Sequence, residues 1–220
     1  MHKRAVIMAG GKGTRLLPYT ESTPKPMLEI NGKPMLERII ERYEYMGFDE
    51  IWVAVLHHKE QIKGYFKDRV SYLEEGEAMG TGGALSLLRE RQGITVVQNG
   101  DVLCNVNINA IVSDHIEREC IATICAYEYV HSIPYGVIGS MDGYVTRLTE
   151  KPKIKKLVNT GIYALSEAAF DFINGPCTMP EIIERAQVHN YKINLFQAHN
   201  IFWLDVGTPE KYKKAQQIIR

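Results

Sequence analysis

Arg4-Ala5-Val6-Ile7-Met8-Ala9-Gly10-Gly11-Lys12-Gly13-Thr14-Arg15-Leu16 is the stretch from which the rest of the chain is read. The run from Arg4 to Ala9 lacks polar alternation, the pattern of a parallel strand buried on both faces. It empties into a glycine-rich loop that continues to about Pro34. Glycines there remove side chains, so backbone N–H groups can close around an anion, and Lys12 and Arg15 add positive charge. Two familiar phosphate loops are excluded. Walker A needs four residues between its first glycine and a Gly-Lys-Ser/Thr, and GxGxxG fails because Leu16 takes the last glycine position.

Outward from this strand the periodicity alternates. Met35, Leu36, Ile39, Ile40, Tyr43 and Met46 share one helical face, with Pro34 at its start and Gly47 at its end. Strands are expected at 51–56, 70–73, 94–98 and 121–127, and helices near 60–66, 82–89 and 109–119. Strands and helices alternating at this spacing imply a three-layer, Rossmann-like α/β domain with a mainly parallel sheet, whose ligands gather at the carboxyl ends of the strands. Beyond Tyr127 the rhythm changes to strand-like pieces at 136–140, 144–150 and 158–165, with Asp142-Gly143 as a hairpin turn. This reads as a small antiparallel insertion over the sheet edge. Helices near 167–173 and 180–187, a strand at 193–198 and a closing helix from Pro209 complete a single domain over 1–220, its halves dividing near 127.

Composition narrows the function classes. The chain has 26 basic and 26 acidic residues, so its formal charge is zero. That argues against a nucleic-acid binder with a general basic surface but leaves room for a basic pocket. Hydrophobic content of 45% and charged content of 24% are ordinary for a globular protein. Cys104, Cys120, Cys125 and Cys177 show no paired CxxC spacing, which fits a reducing, cytoplasmic setting. No apolar run is long enough for a signal core or a membrane span, so no membrane association is expected.

Three further residues stand where chemistry would need them. In Pro24-Lys25-Pro26 two prolines restrict the backbone around a lysine and limit what it loses on binding. Asp101 follows the strand at 94–98 in Asn99-Gly100-Asp101, and Asp205 follows a short apolar run in Trp203-Leu204-Asp205-Val206-Gly207. Either aspartate alone reads as a turn or capping residue. Beside a basic loop, the pair suits Mg²⁺, which is commonly held by one or two carboxylates plus phosphate and water. His57, His58, His189 and His199 read as structural or solvated.

Taken together, 10–16, 24–26, Gly80-Thr81-Gly82-Gly83-Ala84, 99–101, Tyr135-Gly136-Val137, Glu150-Lys151-Pro152, Asn159-Thr160-Gly161-Ile162-Tyr163 and 203–207 resemble, in order, the motifs of the sugar-phosphate nucleotidyltransferase family. The resemblance implies the nucleotide-diphospho-sugar transferase fold and a reaction joining a sugar 1-phosphate to a nucleoside triphosphate with release of pyrophosphate. It assigns Ala9, Gly10, Gly11, Gly13, Thr14, Gly80 and Thr81 to the nucleotide, with Gly82 beside them. Arg15, Lys25 and Asp101 would serve the reacting phosphate, Asp101 and Asp205 would hold Mg²⁺, and Gly136, Glu150, Lys151, Asn159 and Gly161 would meet the sugar phosphate. Residues 72–77 match a segment lining the base pocket, where Glu75 or Glu74 could accept from the N1–H and amino group of guanine. Ala78 stands where proline is frequent in the family.

The likeness is strongest to guanylyltransferases acting on glucosamine 1-phosphate or heptose 1-phosphate in bacterial surface-sugar pathways. Residues 133–138 and 156–161 look like the glucosamine branch that feeds nonulosonic acid synthesis. Some members of that branch carry CBS domains, for which these 220 residues have no room. Family members using UTP, CTP or dTTP, and a noncatalytic nucleotide-sugar sensor on the same fold, are the alternatives. A homodimer is compatible with all of them.

Overall fold

The computed structural model describes residues 1–219. In chain order its first elements are β1 (Lys3–Met8), β2 (Glu29–Ile30), β3 (Lys33–Pro34), α1 (Met35–Tyr45), β4 (Glu50–Val55), α2 (Lys59–Phe66), β5 (Ser71–Glu74), α3 (Gly80–Gly83), β6 (Ile94–Asn99), β7 (Val102–Cys104) and α4 (Ile108–Glu117). There follow β8 (Ala122–Ser132), β9 (Val137–Met141), β10 (Tyr144–Thr149), β11 (Lys153–Leu165), α5 (Met179–Val188), β12 (Ile193–Ala198), β13 (Trp203–Asp205) and α6 (Pro209–Ile218).

Seven strands form one sheet in the order β12-β8-β11-β6-β1-β4-β5. Neighbours run parallel except at β11, which is antiparallel to both β6 and β8. The absence of alternation in β1 has the expected cause: Ala5 and Ile7 pack into a core with α1 and α4, while Val6 packs into a second core with α5 on the opposite face. The mainly parallel three-layer architecture is therefore as read from the sequence.

The alternation after β1 produces a switch point. From β1 the chain builds β4 and β5 on one side, then crosses to place β6 on the other. The loops after β1 and β6 consequently part in opposite directions and leave a crevice between them.

Three boundaries differ from expectation. The helix expected at 82–89 is a single turn, α3, continued as a 3-10 segment over Ala84–Leu87. Glycines at 80, 82 and 83 favour helix weakly, and the Gly82 and Gly83 N–H groups both donate to the Cys177 carbonyl, at 2.9 and 3.0 Å. Glu167–Phe172 is likewise 3-10. Most consequentially, β8 runs on to Ser132 and β11 begins at Lys153, so the two strands pair as a ribbon beyond the sheet. The β9–β10 hairpin, turning at Asp142-Gly143 with φ of 52° and 83°, sits on the end of this ribbon. The alternation is hidden there because most ribbon and hairpin residues are exposed on both faces.

Gly80 is fixed twice over. Its φ is 75°, and a Cβ there would lie 2.5 Å from the Cys177 carbonyl oxygen. Gly80→Ala is expected to cost about 2 kcal/mol through αL strain and backbone overlap, measurable as a lowered urea midpoint at unchanged m.

Candidate active site

The crevice at the switch point is a cleft of about 530 Å³, lined by the glycine loop, the ends of β1 and β6, and residues 75–81. Met8 precedes the loop, whose Ala9, Gly10, Gly11, Lys12, Gly13, Thr14 and Arg15 all border the cleft. Gly13 has a φ of 68°, and a Cβ there would stand 3.0 Å from the Thr20 methyl and 3.1 Å from Lys25 Cβ. The Thr20 hydroxyl donates to the Gly13 carbonyl at 2.8 Å. The missing side chain thus lets the loop fold against the segment carrying Lys25.

Lys25 lies in a 3-10 turn that the flanking prolines start, and its ammonium forms an ion pair with Asp101. Lys25 is 12% and Asp101 22% exposed, so the pair is partly shielded from water. Gly100 permits the approach, since a Cβ there would come within 2.7 Å of the Met8 carbonyl oxygen.

Asp205 reaches the same place from the far end of the sequence. β13 pairs antiparallel with β7, setting Asp205 opposite Val102, and the Val206 N–H donates to the Asp101 carbonyl at 2.8 Å. The two aspartates are thereby neighbours across a ladder. Asp205 Oδ2 accepts from Lys211 Nζ at 2.9 Å. A Cβ on Gly207 would lie 2.9 Å from Asp205 Oδ1 and 3.6 Å from Arg15 Nη2, so the Arg15 guanidinium stands over this turn.

Asp101 lines the cleft, and Asp205 stands beside it through the Gly207 turn, which also lines it; two neighbouring carboxylates of this kind are a hard-oxygen donor set that suits Mg²⁺. Among the described residues no group of three or more His, Cys, Asp or Glu is arranged to hold a metal. A cation here would complete its shell from substrate and water.

On the opposite wall Glu75 is buried, 7% exposed. Its Oε2 accepts from the Met79 N–H at 2.9 Å, and its Oε1 lies where a Gly10 side chain would clash, 2.7 Å from the added Cβ. Burial pushes its pKa above the ordinary carboxylate value, and the Met79 hydrogen bond offsets part of that rise. Glu74 differs, being exposed and paired with Lys63 and Lys59 at 2.6 and 3.1 Å. Gly80 and Thr81 border the cleft. Gly82 does not; it packs under α5, where a Cβ would meet Ile182 Cδ1 at 2.6 Å.

The remaining expected residues fall in two places. Gly161, φ 78°, abuts Asn99, whose Nδ2 would be 2.6 Å from an added Cβ, and Asn159 Oδ1 accepts from the Gly161 N–H at 2.9 Å. This pair therefore adjoins the cleft through Asn99. Gly136, Glu150 and Lys151 lie together at the base of the hairpin: a Gly136 Cβ would be 3.0 Å from Glu150 Oε2, and the Lys151 N–H donates to Tyr135 O at 3.2 Å. They do not line the cleft. Asn99, His57 and Lys211 are the residues that sequence reasoning did not assign. Asn99 was signalled by its place beside Asp101, whereas His57 follows β4 and Lys211 lies one turn into α6, where sequence alone marks neither.

Residues 4–220 match the family model described as nucleotidyl transferase. The chain is 32% identical to the UTP–glucose-1-phosphate uridylyltransferase of Synechocystis sp., over 96% of this chain and 62% of that protein. It is also 32% identical to the bifunctional protein GlmU of Methanococcus aeolicus, over 93% of this chain and 51% of that one. The chain thus spans between half and two thirds of these relatives. Among solved structures, HddC from Yersinia pseudotuberculosis complexed with GMP-PN superposes with a TM-score of 0.76 and 25% identity, each chain covered in full.

Proposed function

Because the chain belongs to the nucleotidyl transferase family, we propose that it transfers a nucleoside monophosphate from a nucleoside triphosphate to a sugar 1-phosphate, releasing pyrophosphate. The observation carrying this reading is the convergence of the glycine loop, Arg15, Lys25 and Asp101 on the crevice between β1 and β6, with Asp205 held beside Asp101 by the β7–β13 pairing. No general base is required, since a sugar 1-phosphate already bears an anionic nucleophile. The obstacle is repulsion: two unit charges about 4 Å apart interact by about 4 kcal/mol at an effective dielectric near 20.

In this reading the loop amides and Thr14 hold the triphosphate, and Arg15 and Lys25 face charge that builds at the α-phosphate and the leaving pyrophosphate. Asp101 and Asp205 would hold Mg²⁺, which when bound would supply neutralising charge and a template for the phosphates. Asn159 and Gly161 take the sugar side, and Glu150 and Lys151 close on the sugar phosphate from the hairpin base.

GTP is the proposed donor, and glucosamine 1-phosphate or a heptose 1-phosphate the proposed acceptor. Glu75 supports guanine, because a buried acceptor suits the N1–H and amino group, and the similarity to a structure complexed with GMP-PN points the same way. UTP is the second reading, favoured by the uridylyltransferase relative. Pyrophosphate release measured for GTP, UTP, CTP, dTTP and ATP against several sugar 1-phosphates tests both; no release with any pair removes the enzyme reading.

Glu75→Gln is expected to reduce kcat/KM for GTP roughly tenfold or more relative to other nucleotides. The same substitution has a stability signature of opposite sign. A raised carboxyl pKa is stabilising below the unfolded value and loses that benefit as pH rises through the folded value. Thermal melts should therefore show Glu75→Gln more stable than the parent at neutral pH, with the gap closing as pH falls through the Glu75 titration.

A further inference from the structure

Helices α5 and α6 begin alike and diverge at one residue. Thr178 caps α5, and Glu181, at the third helical position, reaches back to the cap, its Oε2 accepting from the Thr178 N–H at 2.6 Å. Thr208 caps α6 in the same way, accepting from the Lys211 N–H at 3.4 Å, but here the third position holds a lysine. A lysine cannot close the capping box, and its charge opposes the positive N-terminal end of the helix dipole. Local helix chemistry thus favours glutamate at 211, and the reason for lysine lies outside the helix.

Lys211 Nζ turns back over the β13–α6 turn and donates to Asp205 Oδ2 at 2.9 Å. With side chains 43% and 30% exposed, such an ion pair contributes little to stability. Nor does the turn need it: the Val206 N–H is bonded to the Asp101 carbonyl, and α6 is docked on β2 by Tyr212 and Gln216, which donate to the Glu29 carbonyl at 2.6 and 2.7 Å. What the lysine fixes is the carboxylate. Rising from a docked helix, it takes Oδ2, while Oδ1 accepts from no protein group among the described residues. Oδ1 is also the oxygen nearer the cleft-lining Gly207, 2.9 Å against 3.4 Å from an added Cβ.

Building on the proposed metal role of Asp205, we propose that Lys211 is a positioning residue that makes Asp205 a one-oxygen ligand, Oδ1 being offered to the cation and Oδ2 withheld. Hard cations respond differently to that restraint. Ca²⁺ accepts carboxylates through both oxygens in a flexible shell, whereas Mg²⁺ demands a near-octahedral shell at shorter distances. A lysine on Oδ2 therefore selects against Ca²⁺ and leaves room around Mg²⁺ for phosphate oxygens and water.

Metal binding to the free chain tests the assignment without reference to turnover. Mn²⁺, which takes the same octahedral oxygen shell as Mg²⁺, is titrated by electron paramagnetic resonance, and Ca²⁺ by competition against it. Loss of a nearby positive charge alone would tighten both cations together, so the ratio of the two dissociation constants is the diagnostic quantity. Lys211→Met should shift that ratio toward Ca²⁺ by roughly tenfold or more, at an unchanged melting temperature. Lys214→Met, which removes the same charge from an exposed position on α6, should leave the ratio as in the parent. Asp205→Ala should weaken both cations. A Lys211→Met ratio equal to the parent's, or an equal shift in Lys214→Met, overturns the proposal while the metal role of Asp205 stands. Undiminished binding in Asp205→Ala removes that role and the proposal with it.

Discussion

Asp101→Ala is expected to lower turnover by roughly a hundredfold to a thousandfold, the scale on which preorganised electrostatic groups act. Asp101 holds the Lys25 ammonium in place, and its backbone carbonyl anchors the turn carrying Asp205. Removing its side chain deletes the charge but leaves the ladder between β7 and β13. The loss should therefore appear in kcat while the melting temperature changes little. Asp101→Asn sharpens the test, since it keeps the shape and removes the charge. Turnover in Asp101→Asn close to that of the parent would take the carboxylate out of the proposed chemistry. A magnesium titration adds a second readout, because the concentration needed for half-maximal rate should rise in both variants.

Arg15→Ala is expected to reduce kcat/KM by roughly a hundredfold or more, for a different reason. Arg15 is exposed in the cleft, and its guanidinium stands over the Asp205–Gly207 turn. Its removal costs the fold little, and essentially all of the effect should fall on reaction with triphosphate. Arg15→Lys restores the charge without the planar fork, so it should recover only part of the lost rate. Steady-state kinetics of both variants, with isothermal titration of a nonhydrolysable GTP analogue, would locate the loss in binding or in turnover. Full recovery in Arg15→Lys would show that charge alone, without geometry, is what the site uses there.

The sequence was most legible where one residue's environment depends on its near neighbours. An unbroken apolar run next to glycines identified β1 and its loop, and a strand followed by Asn-Gly-Asp placed Asp101 at the crevice. Asp205 was legible as a strand-end carboxylate, but its adjacency to Asp101 depends on an antiparallel pairing between segments about a hundred residues apart. No local pattern encodes such a register. The helix at 82–89 failed for a related reason, since the acceptor of the Gly82 and Gly83 amides is the carbonyl of Cys177. Lys211 reads as an exposed helix lysine until the β13–α6 turn brings it onto Asp205. The ribbon was missed because exposure on both sides erases the alternation that marks a strand.

The lone reversed strand, β11, decides where new sequence can be added without disturbing the nucleotide loop. Since β11 enters the sheet where its neighbours leave it, everything between β8 and β11 emerges at the same end of the sheet as the crevice, beyond β6 from Gly10–Gly13. On the proposed reading, recognition of donor and of acceptor is thus housed in stretches that can lengthen, shorten or change independently. A single scaffold can then keep one way of gripping a triphosphate while the β8–β11 segment is remodelled for one sugar after another.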